Sequence, residues 1–200
     1  AGLQVTPYYN KPSQEGIYGH FMAVADSCDL PVMLYNIPGR AGVAIAPETV
    51  ERLSRHPNIQ AIKEATGSMD SASEIRQRCG ITLLSGDDSL TPSFAAVGAA
   101  GVVSVVSNLV PERVQTLVDA CNRNDFDAAR ATHEQLLPLA KGLLSLDVNP
   151  VPVKTAMSLL GRDSGSLRLP LCAPSDAVKR QIGELLKAQG LTAAAQAVRL

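Results

Sequence analysis

Short apolar runs alternate along the chain with longer stretches in which apolar residues return every three or four positions. Leu3–Thr6, Pro31–Tyr35, Gln60–Lys63, Thr82–Ser85 and Val102–Val106 each end at turn formers or polar residues, the pattern of buried strands. Between them, Glu15–Cys28, Pro47–Arg55, Ser71–Cys79 and Thr91–Val97 carry helical spacing. Such a repeat predicts parallel strands joined by right-handed crossovers. The strands begin near residues 3, 31, 60, 82 and 102, at intervals of 28, 29, 22 and 20 residues. Those intervals suit a barrel in which eight units fill about 250 residues. A doubly wound sheet has a similar period. However, no G-x-G-x-x-G follows any strand, and polar residues gather at several strand ends, which favours a barrel whose catalytic groups come from many strand tips.

About ninety residues follow the fifth strand, with helical patterns at Pro111–Asn122, Asp125–Ser145, Val151–Leu160 and Ser175–Gly190. The expected architecture is α/β: the last five βα units of a (β/α)8 TIM barrel over residues 1–125, then a helical C-terminal appendage over residues 126–200. Five strands cannot close such a barrel without leaving an open edge, so earlier units are expected to precede them.

Composition narrows the chemistry. Of the 200 residues 46% are hydrophobic, enough for a packed core, while aromatics are only 4% and Trp is absent, so the core is aliphatic. Eighteen Lys and Arg against nineteen Asp and Glu give a net charge of -1, without the basic stripe a nucleic acid or an anionic membrane surface requires. The longest apolar stretches, such as Gly101–Val106, fall far short of the roughly 18–20 residues of a membrane span. Cys28, Cys79, Cys121 and Cys172 are scattered, with no C-x-x-C pair, and read as four buried thiols in a reducing cytoplasm.

Three strand ends carry candidate chemistry. Lys63 ends the run Ile59-Gln60-Ala61-Ile62-Lys63. At the tip of an apolar strand, its ammonium either snorkels to water or, desolvated at the mouth of a barrel, supplies the neutral amine that attacks a carbonyl. Tyr35 and Arg40 lie in Leu34-Tyr35-Asn36-Ile37-Pro38-Gly39-Arg40-Ala41-Gly42. This is either a plain turn with a surface arginine, or a loop that aims a proton-shuttling phenol and a carboxylate-gripping guanidinium. Tyr8 and Tyr9 follow the first strand and point in opposite directions if the strand continues, one toward a site, the other into packing.

Together these segments resemble the dihydrodipicolinate synthase branch of the pyruvate-dependent N-acetylneuraminate lyase family. The matching stretches are Val5–Pro12, Leu34–Arg40, Ile62-Lys63-Glu64-Ala65-Thr66-Gly67, Leu84–Asp88, Gly101–Val105, Asn149–Lys154 and Leu167–Leu171. The resemblance implies that Lys63 is the Schiff-base lysine on the sixth barrel strand and that Tyr35, on the fifth, relays protons. Tyr9 then reaches across a tight dimer interface into the partner's site. Arg40 orients the carboxylate of the second substrate, the Val103 carbonyl and the Gly86 region line the pyruvate pocket, and Tyr8 falls at an inter-subunit lysine site.

The implied reaction condenses pyruvate with L-aspartate 4-semialdehyde to 4-hydroxy-tetrahydrodipicolinate in the diaminopimelate route to lysine. It needs no metal or organic cofactor, and the implied assembly is a cytoplasmic homodimer or homotetramer. The family's first three βα units, with a strand-end threonine pair that completes the relay, have no counterpart in these 200 residues. Two alternatives stand beside this reading: another aldolase or hydratase using the same imine, and a non-catalytic fragment. Asp87 and Asp88 read as a helix cap or pocket rim rather than metal ligands, and His20, His56 and His133 as surface or core positions.

Overall fold

A computed structural model describes residues 1–193; the last seven residues of the expected appendage lie outside the described residues. The chain forms two compact units, one of residues 1–103 with 121–124 and one of residues 104–120 with the chain from 125 onward.

The first unit runs β1 (Gly2–Val5), α1 (Gln14–Asp26), β2 (Val32–Asn36), α2 (Pro38–Ala41), α3 (Pro47–Leu53), β3 (Ile59–Glu64), α4 (Met69–Arg78), β4 (Thr82–Ser85), α5 (Thr91–Ala96) and β5 (Gly101–Val102). The five strands are all parallel and lie in the order β1-β2-β3-β4-β5, each crossing over to its immediate neighbour. This is the arc of successive βα units that the strand spacing predicts for a TIM barrel. Helices α1 and α4 begin at serine caps: the Ser13 hydroxyl accepts the Gly16 N–H at 3.3 Å and the Ser68 hydroxyl the Ser71 N–H at 3.1 Å.

The core lies on one face of the sheet. Val32 and Leu34 of β2, Ile59 and Ile62 of β3, and Leu83 of β4 pack against Ile17, Phe21 and Ala25 of α1, Val50 and Leu53 of α3, Ala72 and Ile75 of α4, and Phe94 of α5. Ile59 and Ile62 are three apart, so strict alternation would put them on opposite faces. Between β2 and β3 the register jumps from Val32↔Ile59 to Met33↔Ala61, leaving exposed Gln60 unpaired. That irregularity resets the parity, so that both isoleucines reach the core and Ala61 and Lys63 share the other face.

The fifth strand is shorter than the Val102–Val106 run suggested. It stops at Val102, after which the Val103 N–H still donates to the Ser85 carbonyl at 2.8 Å. The Ser104 hydroxyl then accepts the Ser107 N–H at 2.8 Å, and the chain turns through a 3-10 helix at Val106–Asn108. A serine competing for backbone hydrogen bonds thus overrides the β preference of the valines.

The second unit is helical, with α6 (Pro111–Asn122), whose last two residues belong to the first unit, α7 (Phe126–Ser145), α8 (Val151–Leu159) and α9 (Asp176–Ala188). Leu136, Leu139 and Leu143 of α7, Val153 and Ala156 of α8, and Ile182 and Leu186 of α9 are buried. A side chain at Gly142 of α7 would overlap Leu185 of α9, so the glycine permits that close approach. Among the described residues no helix is long and apolar enough to cross a membrane. The expectation of four buried thiols is corrected: Cys121 is buried and Cys79 partly so, but Cys28 and Cys172 are exposed, because each sits in an irregular segment rather than on a core-facing helix stripe.

Candidate active site

The chemistry gathers where β2 and β3 end. Their register sets Tyr35 beside Lys63, both on the face turned away from the helices. The Lys63 Nζ stands 4.0 Å from the centre of the Tyr35 ring, a cation–π distance that holds amine and phenol side by side on adjoining strand tips. Neither position depends on a flexible loop, since both residues lie within the hydrogen-bonded ladder.

One residue further on, the side chains point back to the helix side and are polar yet fully buried: Thr6, Asn36, Glu64 and Ser85. Glu64 accepts the Asn36 amide at 2.9 Å on one oxygen and the Thr66 N–H at 2.7 Å on the other. Burial raises the Glu64 pKa above its ordinary value, although these hydrogen bonds to Thr66 and Asn36 oppose the rise. A carboxyl that holds its proton more tightly when folded contributes stability that is fully present below the usual glutamate range and is lost as pH rises through the raised value. Urea denaturation of the parent and of Glu64→Gln across a pH series checks this: relative to the variant, the parent should lose stability as pH climbs through that window, then level off. A parent that gains stability there would contradict the assignment.

Arg40 is exposed on α2, directly after β2. The helix starts at Pro38, whose fixed φ suits a first turn, and stops at Gly42, which has a φ of 78° and donates its N–H to the Pro38 carbonyl at 2.8 Å. The Lys11 side chain crosses Gly42 so closely that an added Cβ would lie 3.1 Å from its Cε. Gly42→Ala should therefore cost about 1–2 kcal/mol in denaturant melts, and Gly42→Asn less, because asparagine tolerates the left-handed region better.

Gly86 brings β4 against β3. Its N–H donates to the Glu64 carbonyl at 2.7 Å, and a Cβ there would sit 2.6 Å from that of Ala65. Tyr8 and Tyr9 both stand in solvent beyond β1, 69% and 94% exposed, with Tyr9 at a φ of 72° that non-glycine residues rarely adopt. Thr6, just before them, aims its hydroxyl at the Tyr35 carbonyl at 3.3 Å.

The structure thus joins Lys63 to Tyr35, sets Gly86 and Val103 at the following strand ends and Arg40 in the loop after β2, and leaves both Tyr8 and Tyr9 exposed, since β1 ends at Val5 and does not continue to set the two on opposite faces. Asp87 caps, as expected, accepting the Ser89 N–H at 2.9 Å. His56 lies 3.0 Å from Asp26, and the His20 ring meets Phe21 edge-on. Sequence reasoning passed over Asn36 and Glu64. Their signal was a polar residue placed one position after each reactive side chain in an otherwise apolar strand.

A parallel α/β arc with an amine and a phenol paired at the carboxyl ends of its strands defines a barrel-type protein whose reactive groups sit on strand tips. Residues 1–189 match the Dihydrodipicolinate synthetase family, and the chain belongs to that family. It is 50% identical over 191 residues to the 4-hydroxy-tetrahydrodipicolinate synthase of Pelobacter propionicus, which covers 94% of this chain and 66% of the relative. The crystal structure of the Aquifex aeolicus dihydrodipicolinate synthase superposes with a TM-score of 0.91 at 45% identity, over 94% of this chain and 65% of that one. A chloride-inhibited synthase from Acinetobacter baumannii, solved with pyruvate, does so with a TM-score of 0.89 at 36% identity, over 94% and 65%. The chain spans just under two thirds of these relatives' lengths.

Proposed function

We propose that the protein to which this chain belongs is a cytoplasmic 4-hydroxy-tetrahydrodipicolinate synthase, a lyase of lysine biosynthesis. In this reading the Lys63 amine adds to the keto carbon of pyruvate and water leaves, giving an iminium. The iminium draws electrons from the adjacent methyl group, which loses a proton to become an enamine. Tyr35, against the Lys63 amine, carries protons to and from the reacting centre. The enamine carbon bonds to the aldehyde carbon of L-aspartate 4-semialdehyde, while Arg40 grips that substrate's carboxylate. The substrate's own amine then attacks the imine carbon and displaces Lys63, closing the ring.

Gly86 and the Val103 carbonyl line the pyruvate pocket. Tyr9 completes the site of a partner subunit in a homodimer or homotetramer, Tyr8 borders an inter-subunit lysine site, and the described helices from residue 126 to residue 193 make up a helical appendage. The observation that carries the reading is the lysine amine held 4.0 Å from a tyrosine ring on neighbouring strand tips. The pyruvate in the Acinetobacter baumannii relative supports the substrate.

The test is turnover by the protein expressed from its complete gene. Pyruvate and L-aspartate 4-semialdehyde should disappear together, one for one, only when both are present. Turnover of pyruvate with other aldehydes in preference to this one would redirect the assignment within the family.

A further inference from the structure

The loop that carries Arg40 leaves β2 at Ile37, forms α2, and returns to the sheet's helix layer along residues 44–46 before α3 begins. This return segment lies outside the five strands, yet four of its backbone polar groups are paired with side-chain amides. Gln14, at the start of α1, donates its amide to the Ala44 carbonyl at 2.9 Å and accepts the Ala46 N–H at 3.0 Å. On the opposite side Asn36 donates to the Ile45 carbonyl at 3.1 Å and accepts the Ile45 N–H at 3.0 Å. Two side-chain amides therefore stand in for the neighbouring strands that such a segment would otherwise need. Gln14 reaches further, accepting the Thr49 hydroxyl at 2.8 Å in the first turn of α3.

The Asn36 amide has one usable orientation. Its oxygen must meet the Ile45 N–H, which leaves its NH2 to be shared between the Ile45 carbonyl and Glu64 Oε2 at 2.9 Å. Glu64 in turn must accept on both oxygens, from Asn36 and from the Thr66 N–H. A carboxylate does this and an amide does not. Lys63 and Tyr35, by contrast, are located by the strand register itself and owe nothing to the loop.

We propose that Asn36, oriented by Glu64, and Gln14 are positioning residues that set where Arg40 stands relative to Lys63, and so govern capture of the carboxylated aldehyde rather than imine formation. The inference rests on the reading given under Proposed function and assigns a task to three buried or half-buried groups that take no part in the chemistry.

Asn36→Asp sets a carboxylate against Glu64, and Glu64→Gln turns an NH2 toward another donor. The double variant Asn36→Asp/Glu64→Gln restores the bond with its polarity reversed. The new amide at position 64 then donates to the new carboxylate at position 36 and accepts the Thr66 N–H. That carboxylate still accepts the Ile45 N–H, and only the Ile45 carbonyl loses a donor. The experiment measures KM for L-aspartate 4-semialdehyde, kcat, and the rate of borohydride trapping with pyruvate alone, in the protein expressed from its complete gene.

Each single variant should raise the aldehyde KM about tenfold or more while trapping changes by less than about threefold. The double variant should recover most of the lost affinity, and Gln14→Leu, on the other side of the segment, should reproduce the split. Should a single variant fail to fold, the double variant and Gln14→Leu decide the matter in the same way. Unchanged KM, parallel losses in KM and trapping, or a double variant no better than the worse single variant would overturn the inference. A parent that traps no pyruvate overturns the functional reading and this inference with it, and is told apart because trapping involves no aldehyde.

Discussion

Replacing Lys63 with methionine is expected to lower synthase turnover by roughly 10^4-fold or more, the order of loss seen when an enzyme is deprived of its covalent nucleophile. Methionine keeps a long, flexible stem, so β3 should still pair with β2 and β4, and far-ultraviolet circular dichroism should match the parent. What disappears is the amine, and with it the only electron sink in the proposed mechanism. Tyr35→Phe separates the neighbouring role. It keeps the ring beside Lys63 and removes only the hydroxyl, so pyruvate should still be trapped while turnover falls by about 10^2–10^4, the range of a lost proton-transfer group. Steady-state rates with both substrates check each variant, and a Lys63→Met protein that retains more than a hundredth of parental turnover would contradict the account.

Arg40→Ala should split the two substrates. Two charge-assisted hydrogen bonds to a carboxylate, at about 1.5–3 kcal/mol each, predict a loss on the order of 100-fold or more in kcat/KM for L-aspartate 4-semialdehyde, with imine formation from pyruvate little changed. The side chain is exposed on a short helix outside the core, so its removal leaves no cavity and should not disturb folding. Arg40→Lys should recover only part of the loss, since an ammonium keeps the charge but not the planar fork. Equal losses for both substrates would mean that Arg40 supports the loop instead of binding the aldehyde.

How much of this could be read from the residues differs by element. Runs such as Leu83–Leu84 and Ile62–Lys63 announce strands because apolar residues stop abruptly at polar ones, and the order of strands and helices follows from their alternation. The irregularity at Gln60 was hidden, because Ile59-Gln60-Ala61-Ile62 fits a plain strand and only the paired register shows that one residue is skipped. Helix α2 escaped notice because four residues with a proline and a glycine look like a turn.

Lys63 and Tyr35 stood out one by one, yet their contact depends on the register between strands far apart in the chain. Asn36 and Glu64 follow those two residues as polar positions in apolar strands, a pattern that does not by itself distinguish a buried network from a strand end. What identifies them as a buried network is their partners, which are each other and the backbone of Ile45 and Thr66, and no residue pattern marks those backbone groups. Gln14 was concealed for the same reason, since its partners are the backbone groups of Ala44 and Ala46 and the Thr49 hydroxyl.

The measurement closest to the central claim is covalent capture. The protein expressed from its complete gene is incubated with isotope-labelled pyruvate, reduced with borohydride, digested and mapped by mass spectrometry. The account predicts label on the peptide containing Lys63, dependent on both pyruvate and borohydride and lost in Lys63→Met. Label on Lys11, Lys154 or any other lysine, or no label on the active protein, would contradict it.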